Sequence, residues 1–345
     1  MHVDVMVGQH RLREHAEIAR HAQTAGFSGL TFTETSRTAY LAAATAALAA
    51  PGLTLSTGIA VAFPRSPMIT ASTAWELADE TEGQFLLGLG TQVRAHIERR
   101  FSEDFDPPGP RLREYILAVK AIFRAFNGDE PLKFEGEYYR FSLLPAQWSP
   151  GPIAHPDVPV YISAVNPWML KMAGEVSDGI HVHPLHSQQY IEQILLPTVR
   201  TGVDAAGRNA SAVALAIPVF TVVGDSEEEK ARWRAMARQQ IAFYGSTKAY
   251  AFQFDLVGFD GLSARLNERM KAGDLAGMAD LITDDVLAVF SVESEWDSLS
   301  ARLVDRYGTL ADRVILYFGD AMRARDPKLF DRLGEVATDV RSTNT

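Results

Sequence analysis

Eight short runs of β-forming apolar residues alternate with longer stretches of helical periodicity along this chain. We predict strands at residues 3–7, 28–33, 53–61, 85–91, 158–164, 178–183, 213–223 and 312–318. Such alternation is typical of parallel strands joined by crossover helices. An open doubly wound sheet more often has about five to seven strands, so eight strands favour closure into a barrel. The predicted fold class is therefore α/β, a (β/α)8 TIM barrel.

The length of the chain fits one such barrel with insertions. The chain has 345 residues, whereas about 250 are typical of this fold. Hydrophobic residues make up 47% of the sequence and charged residues 22%, which is ordinary for a globular protein with a large core. Two segments exceed what a minimal barrel needs: about 128–157, with two strand-like pieces, and about 245–292, predicted to form short helices. We predict a single domain over residues 1–345.

Charge and cysteine content exclude several classes of function. The formal net charge of −10 opposes general binding to nucleic acid or to anionic membranes, which need clustered Lys and Arg. The chain has no cysteine, so a disulfide scaffold, a thiolate nucleophile and Cys-ligated zinc are all excluded. The first residues lack the pattern of a secretion signal, and no run of about 18 apolar residues occurs. We expect a cytoplasmic protein with a small-molecule substrate.

Polar residues follow several predicted strands, where the active site of a parallel barrel lies. These residues are Glu34-Thr35-Ser36-Arg37, Pro64-Arg65-Ser66, Thr91-Gln92-Val93, Ala164-Val165-Asn166 and His183-Pro184. They predict a rim with two arginines, one carboxylate and one imidazole. A surface carboxylate or a loop cap is the alternative interpretation of Glu34.

His181 and His183 stand two residues apart in a predicted strand, so we expect their side chains to point the same way. A structural core histidine is the alternative for each, and it suits His181 better because His181 lies deeper. His183 is the better candidate for a proton donor or a substrate ligand. With His186 nearby they could instead bind a metal, but no second cluster of carboxylates and histidines accompanies them. We expect no metal.

Glycines mark two of the predicted strands. Gly58 interrupts a β-branched and aliphatic run, which indicates a bulge, a close approach of a ligand, or simple close packing. The run from Gly88 to Val93 begins like a dinucleotide-binding fingerprint, but valine stands where the third glycine belongs. We therefore do not predict a dinucleotide site from it.

Several separated segments resemble the luciferase-like monooxygenase superfamily. They are TGIAVAFPRSP (57–67), EGQF (82–85), LGLGT (87–91), YISAVN (161–166) and DGIHVH (178–183). HIERRF (96–101), EYYR (137–140), GEVSDGIHVHP (174–184) and QIAFY (240–244) resemble its branch of deazaflavin-dependent oxidoreductases. The resemblance implies a TIM barrel of the bacterial-luciferase type, coenzyme F420 as the cofactor, and a homodimer.

The resemblance also implies where the cofactor lies. It places a non-proline cis peptide at Gly58–Ile59, behind the central ring of the cofactor. The residues implied to surround the ring and the phosphate are Glu34, Thr91, Gln92, Val93, Ala164, Val165 and Asn166. The last three begin a predicted helix, and a helix N-terminus favours anions.

The leading hypothesis is hydride transfer between coenzyme F420 and a small organic substrate. Glu34 and His183 are the candidates to handle the proton, and Arg37, Arg65 and His181 are the candidates to bind the substrate. Relatives that oxidise sugar phosphates or alcohols often have an Asp-His pair after the second strand. This chain has Glu34-Thr35 there, so the role of that histidine does not carry over.

Three alternatives remain open at the level of sequence. An FMN-dependent monooxygenase would use the same bulge and the same phosphate region. A metal-dependent hydrolase would bind zinc through the histidine pair. A non-catalytic binder would lack a cavity of cofactor size.

Overall fold

The computed structural model describes residues 1–343 and contains the predicted alternation of strands and helices. The strands are β1 (His2–Val7), β2 (Gly29–Phe32), β3 (Thr54–Thr57), β4 (Ala60–Val61), β5 (Phe85–Gly90), β6 (Phe134–Glu135), β7 (Arg140–Phe141), β8 (Val160–Ser163), β9 (Gly179–His181), β10 (Ala214–Val223), β11 (Ser291–Ser294) and β12 (Arg313–Leu316). The helices in the first half of the chain are α1 (Leu12–Ala25), α2 (Ala39–Ala49), α3 (Pro67–Glu80), α4 (Arg94–Arg100), α5 (Pro108–Asn127) and α6 (Pro167–Val176). Those that follow are α7 (Gln188–Tyr190), α8 (Leu196–Ala205), α9 (Glu227–Gly245), α10 (Ala251–Asp255), α11 (Leu262–Lys271), α12 (Leu275–Asp280), α13 (Asp284–Phe290), α14 (Trp296–Tyr307), α15 (Gly319–Arg325) and α16 (Pro327–Thr343).

The strand order identifies the fold. Ten strands form one sheet in the order β11-β10-β12-β1-β2-β3-β5-β8-β9, in which β4 pairs with β5 and β9 also pairs with β10. The registered pairings in this sheet are parallel, for example Leu55 beside Phe85 and Ile162 beside Ile180. The predicted (β/α)8 TIM barrel is therefore confirmed. β6 and β7 form a separate antiparallel hairpin in the first predicted insertion.

The chain divides into two compact units. The N-terminal unit comprises Met6–His181 and Val199–Ala214. The C-terminal unit comprises Met1–Val5, Val182–Thr198 and the chain from Leu215 onwards. The single domain expected from the sequence stays a prediction.

The core of the N-terminal unit shows why its helices form. In α5, Leu112, Ile116, Val119 and Phe123 recur at steps of three and four residues and are buried. Trp75 of α3 stacks on Phe123 with 5.6 Å between the ring centroids. Gly128 then ends α5 in the left-handed region at φ 83°, which glycine adopts without steric conflict.

The core of the C-terminal unit contains a cluster of aromatic rings and a buried ion pair. Phe220 of β10 stacks on Phe318 at 5.6 Å, and Trp233 of α9 lies against the same ring. Asp4 of β1 accepts hydrogen bonds of 2.6 and 2.9 Å from the Arg313 guanidinium of β12, and both side chains are buried. Each charge is therefore compensated where water cannot reach it.

Three details differ from the sequence-based prediction. The strand expected at 53–61 is split into β3 and β4 at Gly58–Ile59, where the peptide bond is cis. The strand expected at 178–183 ends at His181, so His183 lies in the following loop. β11 was not predicted; it pairs with residues 220–223 of β10, beyond the part that pairs with β12.

No helix among the described residues combines the length and apolar character needed to cross a bilayer.

Candidate active site

The Gly58–Ile59 peptide lies where β3 ends and β4 begins, and glycines let it pack closely in the N-terminal unit. The Gly58 N–H donates a 2.8 Å hydrogen bond to the carbonyl of Phe32. A Cβ on Gly58 would lie 2.2 Å from Thr31 Cγ2, and one on Gly90 would lie 2.7 Å from Ile59 Cδ1. Real Cβ atoms are not found so close to other heavy atoms, so a Cβ at either position would force a neighbouring side chain to shift. We call Gly58, Ile59, Gly88 and Gly90 the glycine cradle.

Small polar side chains lie next to the glycine cradle. Thr57 Oγ1 donates to the Gly88 carbonyl at 2.7 Å and accepts from the Gly88 N–H at 2.9 Å. Thr31 and Ser56 share a 2.8 Å hydroxyl contact. The hydroxyls of Thr31, Ser56 and Thr57 are buried, and each has a hydrogen-bond partner.

His181 occupies the space that two of the cradle glycines leave free. A Cβ on Gly88 would lie 2.8 Å from His181 Nε2, and one on Gly58 would lie 3.6 Å from its Cε1. The imidazole is buried and lies 5.5 Å from the Tyr161 ring, measured between centroids. His181 therefore belongs to the packed interior of the N-terminal unit.

Glu34 and Arg65 together hold the backbone of β4. The Glu34 carboxylate accepts from the Arg65 guanidinium at 2.5 and 2.9 Å and from the Val61 N–H at 2.7 Å. Arg65 also donates to the Val61 carbonyl at 2.9 Å. The pair thus binds both polar groups of Val61, two residues beyond Ile59. We call Glu34 and Arg65 the carboxylate–guanidinium clamp.

The clamp lies among buried aromatic side chains. The guanidinium carbon of Arg65 is 5.1 Å from the centroid of the Tyr40 ring. Burial opposes the charge of Arg65, but the hydrogen bond to Glu34 and the charge interactions with Glu34 and the neighbouring tyrosines together raise the pKa of Arg65. Burial also raises the pKa of Tyr40. The arginine is therefore charged, and the nearby phenol is neutral, at every physiological pH.

The loop after β5 turns sharply at Gln92. Its φ of 58° lies in the left-handed region, and its side-chain carbonyl accepts the Val93 N–H at 2.9 Å. The Thr91 hydroxyl donates to the Gln92 carbonyl at 3.0 Å. Val93 is half exposed and precedes α4. The three residues predicted at this strand end form one ordered turn.

The loop after β8 leads into α6. The Asn166 side chain accepts the Met169 N–H at 2.9 Å and so caps the helix. Ala164 is buried, and Val165 lies between it and the cap. This segment has the helix-start geometry that favours an anion.

Arg37 is exposed on the surface, and its backbone N–H donates to the Gln9 side-chain carbonyl at 2.6 Å.

His183 belongs to the C-terminal unit and carries its proton on a defined nitrogen. Its Nδ1 accepts the Leu185 N–H at 3.1 Å, so the proton of the neutral ring is on Nε2. Burial lowers the pKa of His183 to about 3. The side chain is therefore a neutral hydrogen-bond donor at physiological pH, whereas an ordinary histidine is partly charged there.

Tyrosines that the sequence analysis did not single out surround His183. The rings of Tyr250 and Tyr244 lie 4.2 and 4.9 Å from it, measured between centroids. The Tyr244 and Tyr317 hydroxyls are 2.8 Å apart, and Tyr317 donates to Gln240 Oε1 at 3.2 Å. The only sequence signal was the aromatic content of QIAFY and of the 245–292 segment.

The structure brings some predicted site residues together and leaves others apart. Arg65 was expected to bind substrate. Its guanidinium donates two hydrogen bonds to the Glu34 carboxylate. His181 is buried next to the glycine cradle, and Arg37 is exposed. Their roles in substrate binding stay predictions. Among residues 1–343, no three His, Asp or Glu side chains are grouped so that they could hold a metal ion.

Comparison with known proteins identifies relatives whose sequences match most of this chain. The family model described as luciferase-like monooxygenase matches residues 1–313. An uncharacterized protein of Mycobacterium tuberculosis is 36% identical over 308 residues, covering 89% of this chain and 91% of that protein. The 5,10-methylenetetrahydromethanopterin reductase of Archaeoglobus fulgidus is 25% identical and covers 82% of each chain. A putative coenzyme F420-dependent oxidoreductase of M. tuberculosis is 23% identical, covering 91% of this chain and 93% of that protein.

Solved structures share the fold. The coenzyme F420-dependent tetrahydromethanopterin reductase of Methanopyrus kandleri superposes with a TM-score of 0.79 at 19% identity, covering 100% of this chain and 99% of that chain. The monooxygenase RslO1 of Streptomyces bottropensis superposes with a TM-score of 0.67 at 18% identity and covers 100% of both chains.

Proposed function

Because the chain belongs to the luciferase-like monooxygenase family, we propose that it is an oxidoreductase that transfers a hydride between coenzyme F420 and a small organic substrate. Relatives named for the reduction of methylenetetrahydromethanopterin, and one named as F420-dependent, match more than four fifths of the chain. The observation that carries the proposal is the break between β3 and β4 at Gly58–Ile59, the position at which the family resemblance places the cofactor ring. Glu34 and Arg65 fix the backbone directly beside it.

The residues of the N-terminal unit fit a deazaflavin ring and its phosphate. The half-exposed Val93 offers an apolar contact at the end of β5. Gln92 and Thr91 supply polar groups at the same strand end. Ala164, Val165 and Asn166 at the start of α6 suit the phosphate. When bound, the cofactor supplies the carbon that donates or accepts the hydride.

The clamp has a positioning role in this proposal. Both oxygens of Glu34 are already engaged by Arg65, and one of them also by Val61. A role in proton transfer would require this carboxylate to leave its guanidinium partner. We therefore assign Glu34 and Arg65 to holding β4. The role of His183, which lies in the C-terminal unit, stays a prediction.

FMN-dependent oxygenation is the second candidate. A specific observation favours it: an FMN-bound Baeyer-Villiger monooxygenase from Pseudomonas putida superposes with a TM-score of 0.66 over 99% of this chain and 98% of that chain. That likeness concerns the fold, and the same scaffold serves both cofactors. The two candidates differ in which cofactor the N-terminal unit binds.

Titration of the purified protein with each cofactor tests the proposal. We expect coenzyme F420 to bind with a Kd of about 1 µM, which corresponds to about −8 kcal/mol. We expect FMN to bind at least tenfold more weakly. Quenching of the intrinsic fluorescence of each cofactor measures both constants. Tight FMN binding without affinity for coenzyme F420 would overturn the proposal.

A further inference from the structure

We propose that the Ser163 hydroxyl, at the end of β8, donates a hydrogen bond to a carbonyl oxygen on the edge of the cofactor ring. The inference deepens the proposed function and rests on it, because the hydrogen bond would be made to the cofactor of that reaction. Ser163 and the residues that surround it, Gly90 and Ile59, all belong to the N-terminal unit.

Ser163 lies beside Ile59, the residue at which the proposed function places the cofactor ring. β5 and β8 are parallel, with Leu89 beside Ile162, so Gly90 and Ser163 are neighbours at the carboxyl ends of these strands. A Cβ on Gly90 would lie 2.6 Å from Ser163 Oγ and 2.7 Å from Ile59 Cδ1. The hydroxyl and the Ile59 side chain therefore lie next to each other on the same side of Gly90.

Ser163 faces the interior of the N-terminal unit. Alternate residues of a strand share a face, so Ser163 lies on the same side of β8 as Tyr161. The Tyr161 ring packs 5.5 Å from that of His181, and both residues are buried. Ser163 is the last residue of β8, and unlike these two it is partly exposed. It therefore lies at the carboxyl end of its strand, where the active sites of this fold are found.

The Ser163 hydroxyl is available to a ligand. It has no hydrogen-bond partner among residues 1–343, and its oxygen is not one of the unpaired side-chain atoms that are sealed from solvent. By contrast, the hydroxyls of Thr31, Ser56 and Thr57 in the same unit are buried and engaged by protein groups. A ligand that binds Ser163 therefore breaks no hydrogen bond within the protein.

A serine hydroxyl suits one edge of the expected cofactor. Flavin and deazaflavin rings share a pyrimidinedione end, whose carbonyl oxygens accept hydrogen bonds from a hydroxyl donor. A donor beside Ile59 determines which edge of the ring lies toward β8. Asn166, which caps α6 next to the proposed phosphate position, follows Ser163 by three residues. One short segment of chain would thus orient both the ring and the phosphate.

Ser163→Ala tests the inference, because it removes the hydroxyl and keeps the small size of the side chain. The probes are coenzyme F420 and its deazaflavin chromophore without the phosphate, and fluorescence quenching measures both Kd values. We expect the variant to bind each probe at least about fivefold more weakly than the wild-type protein does, as the loss of one neutral hydrogen bond implies. Asn166→Ala should weaken the binding of coenzyme F420 alone. Ser72→Ala, which removes a hydroxyl that donates to the Met68 carbonyl within α3, is the matched control and should leave both constants within about twofold.

Infrared difference spectroscopy separates a direct hydrogen bond from a general loosening of the site. A hydrogen bond lowers the stretching frequency of the carbonyl that accepts it. The carbonyl band of bound coenzyme F420 should therefore lie at a higher frequency in Ser163→Ala than in the wild-type protein. The band should be unchanged in Ser72→Ala. Urea-induced unfolding of Ser163→Ala should match that of the wild-type protein, because the hydroxyl has no protein partner to lose among residues 1–343.

Two results would overturn the inference: a Kd for coenzyme F420 in Ser163→Ala within about twofold of the wild-type value, or a carbonyl band at the same frequency in both proteins. Failure of the proposed function differs from these, since the wild-type protein then does not bind coenzyme F420. If it binds FMN instead, FMN and riboflavin replace the two probes, and the same comparison decides the role of Ser163. If it binds neither cofactor, both proposals fail.

Discussion

Replacing Arg65 with methionine should lower the free energy of unfolding by about 3–5 kcal/mol, because it removes the partner of a buried carboxylate. The Glu34 side chain is 7% exposed and has no other cationic partner in the described hydrogen bonds. The variant also removes the donor to the Val61 carbonyl. Urea-induced unfolding of the wild-type protein and the variant measures the difference.

Two further variants sharpen this test. Arg94→Met removes an arginine from an exposed pair with Asp106, and it should change the stability little. The double variant Glu34→Leu/Arg65→Met removes both charges, so it should regain part of the lost stability, while the polar groups of Val61 still lack their side-chain partners. Both variants should bind the cofactor more weakly than the wild-type protein, because the backbone of β4 is no longer held. A loss of less than about 1 kcal/mol in Arg65→Met would contradict the role of the clamp.

Gly88→Ala should destabilise the protein by about 3 kcal/mol or more through overpacking. The new Cβ would lie 1.8 Å from the Thr57 carbonyl oxygen and 2.8 Å from the His181 ring. A backbone atom of β3 cannot move away without disturbing the pairing of β3 with β5. Thermal and urea unfolding both report the change.

Gly90→Ala is the matched control in the same strand. Its Cβ would meet the side-chain atoms Ile59 Cδ1 at 2.7 Å and Ser163 Oγ at 2.6 Å, which can give way. The loss of stability should therefore be smaller, about 1 kcal/mol. Affinity for coenzyme F420 should nevertheless fall, because Ile59 must shift within the glycine cradle. A Gly88→Ala variant as stable as Gly90→Ala would refute the backbone contact.

The sequence predicted the elements better than the contacts between them. Alternating β-rich and helical runs located all eight barrel strands. Gly58 indicated a break in the third strand, and the structure splits that strand there. These signals are local, so they are visible within a window of about ten residues.

Such local signals do not predict contacts between residues that are far apart in the sequence. The pairing of Glu34 with Arg65 joins residues 31 positions apart and depends on the register of neighbouring strands. His183 was expected to share a face with His181, but β9 ends at His181, shortly before Pro184, which lacks an N–H for a ladder.

A crystal structure of the protein with coenzyme F420 tests the central claim most directly. We predict that the deazaflavin ring lies against the Gly58–Ile59 peptide, with the Thr91–Val93 turn at its edge. The phosphate should lie at the start of α6, next to Asn166. A ring bound away from the Gly58–Ile59 peptide would contradict this account.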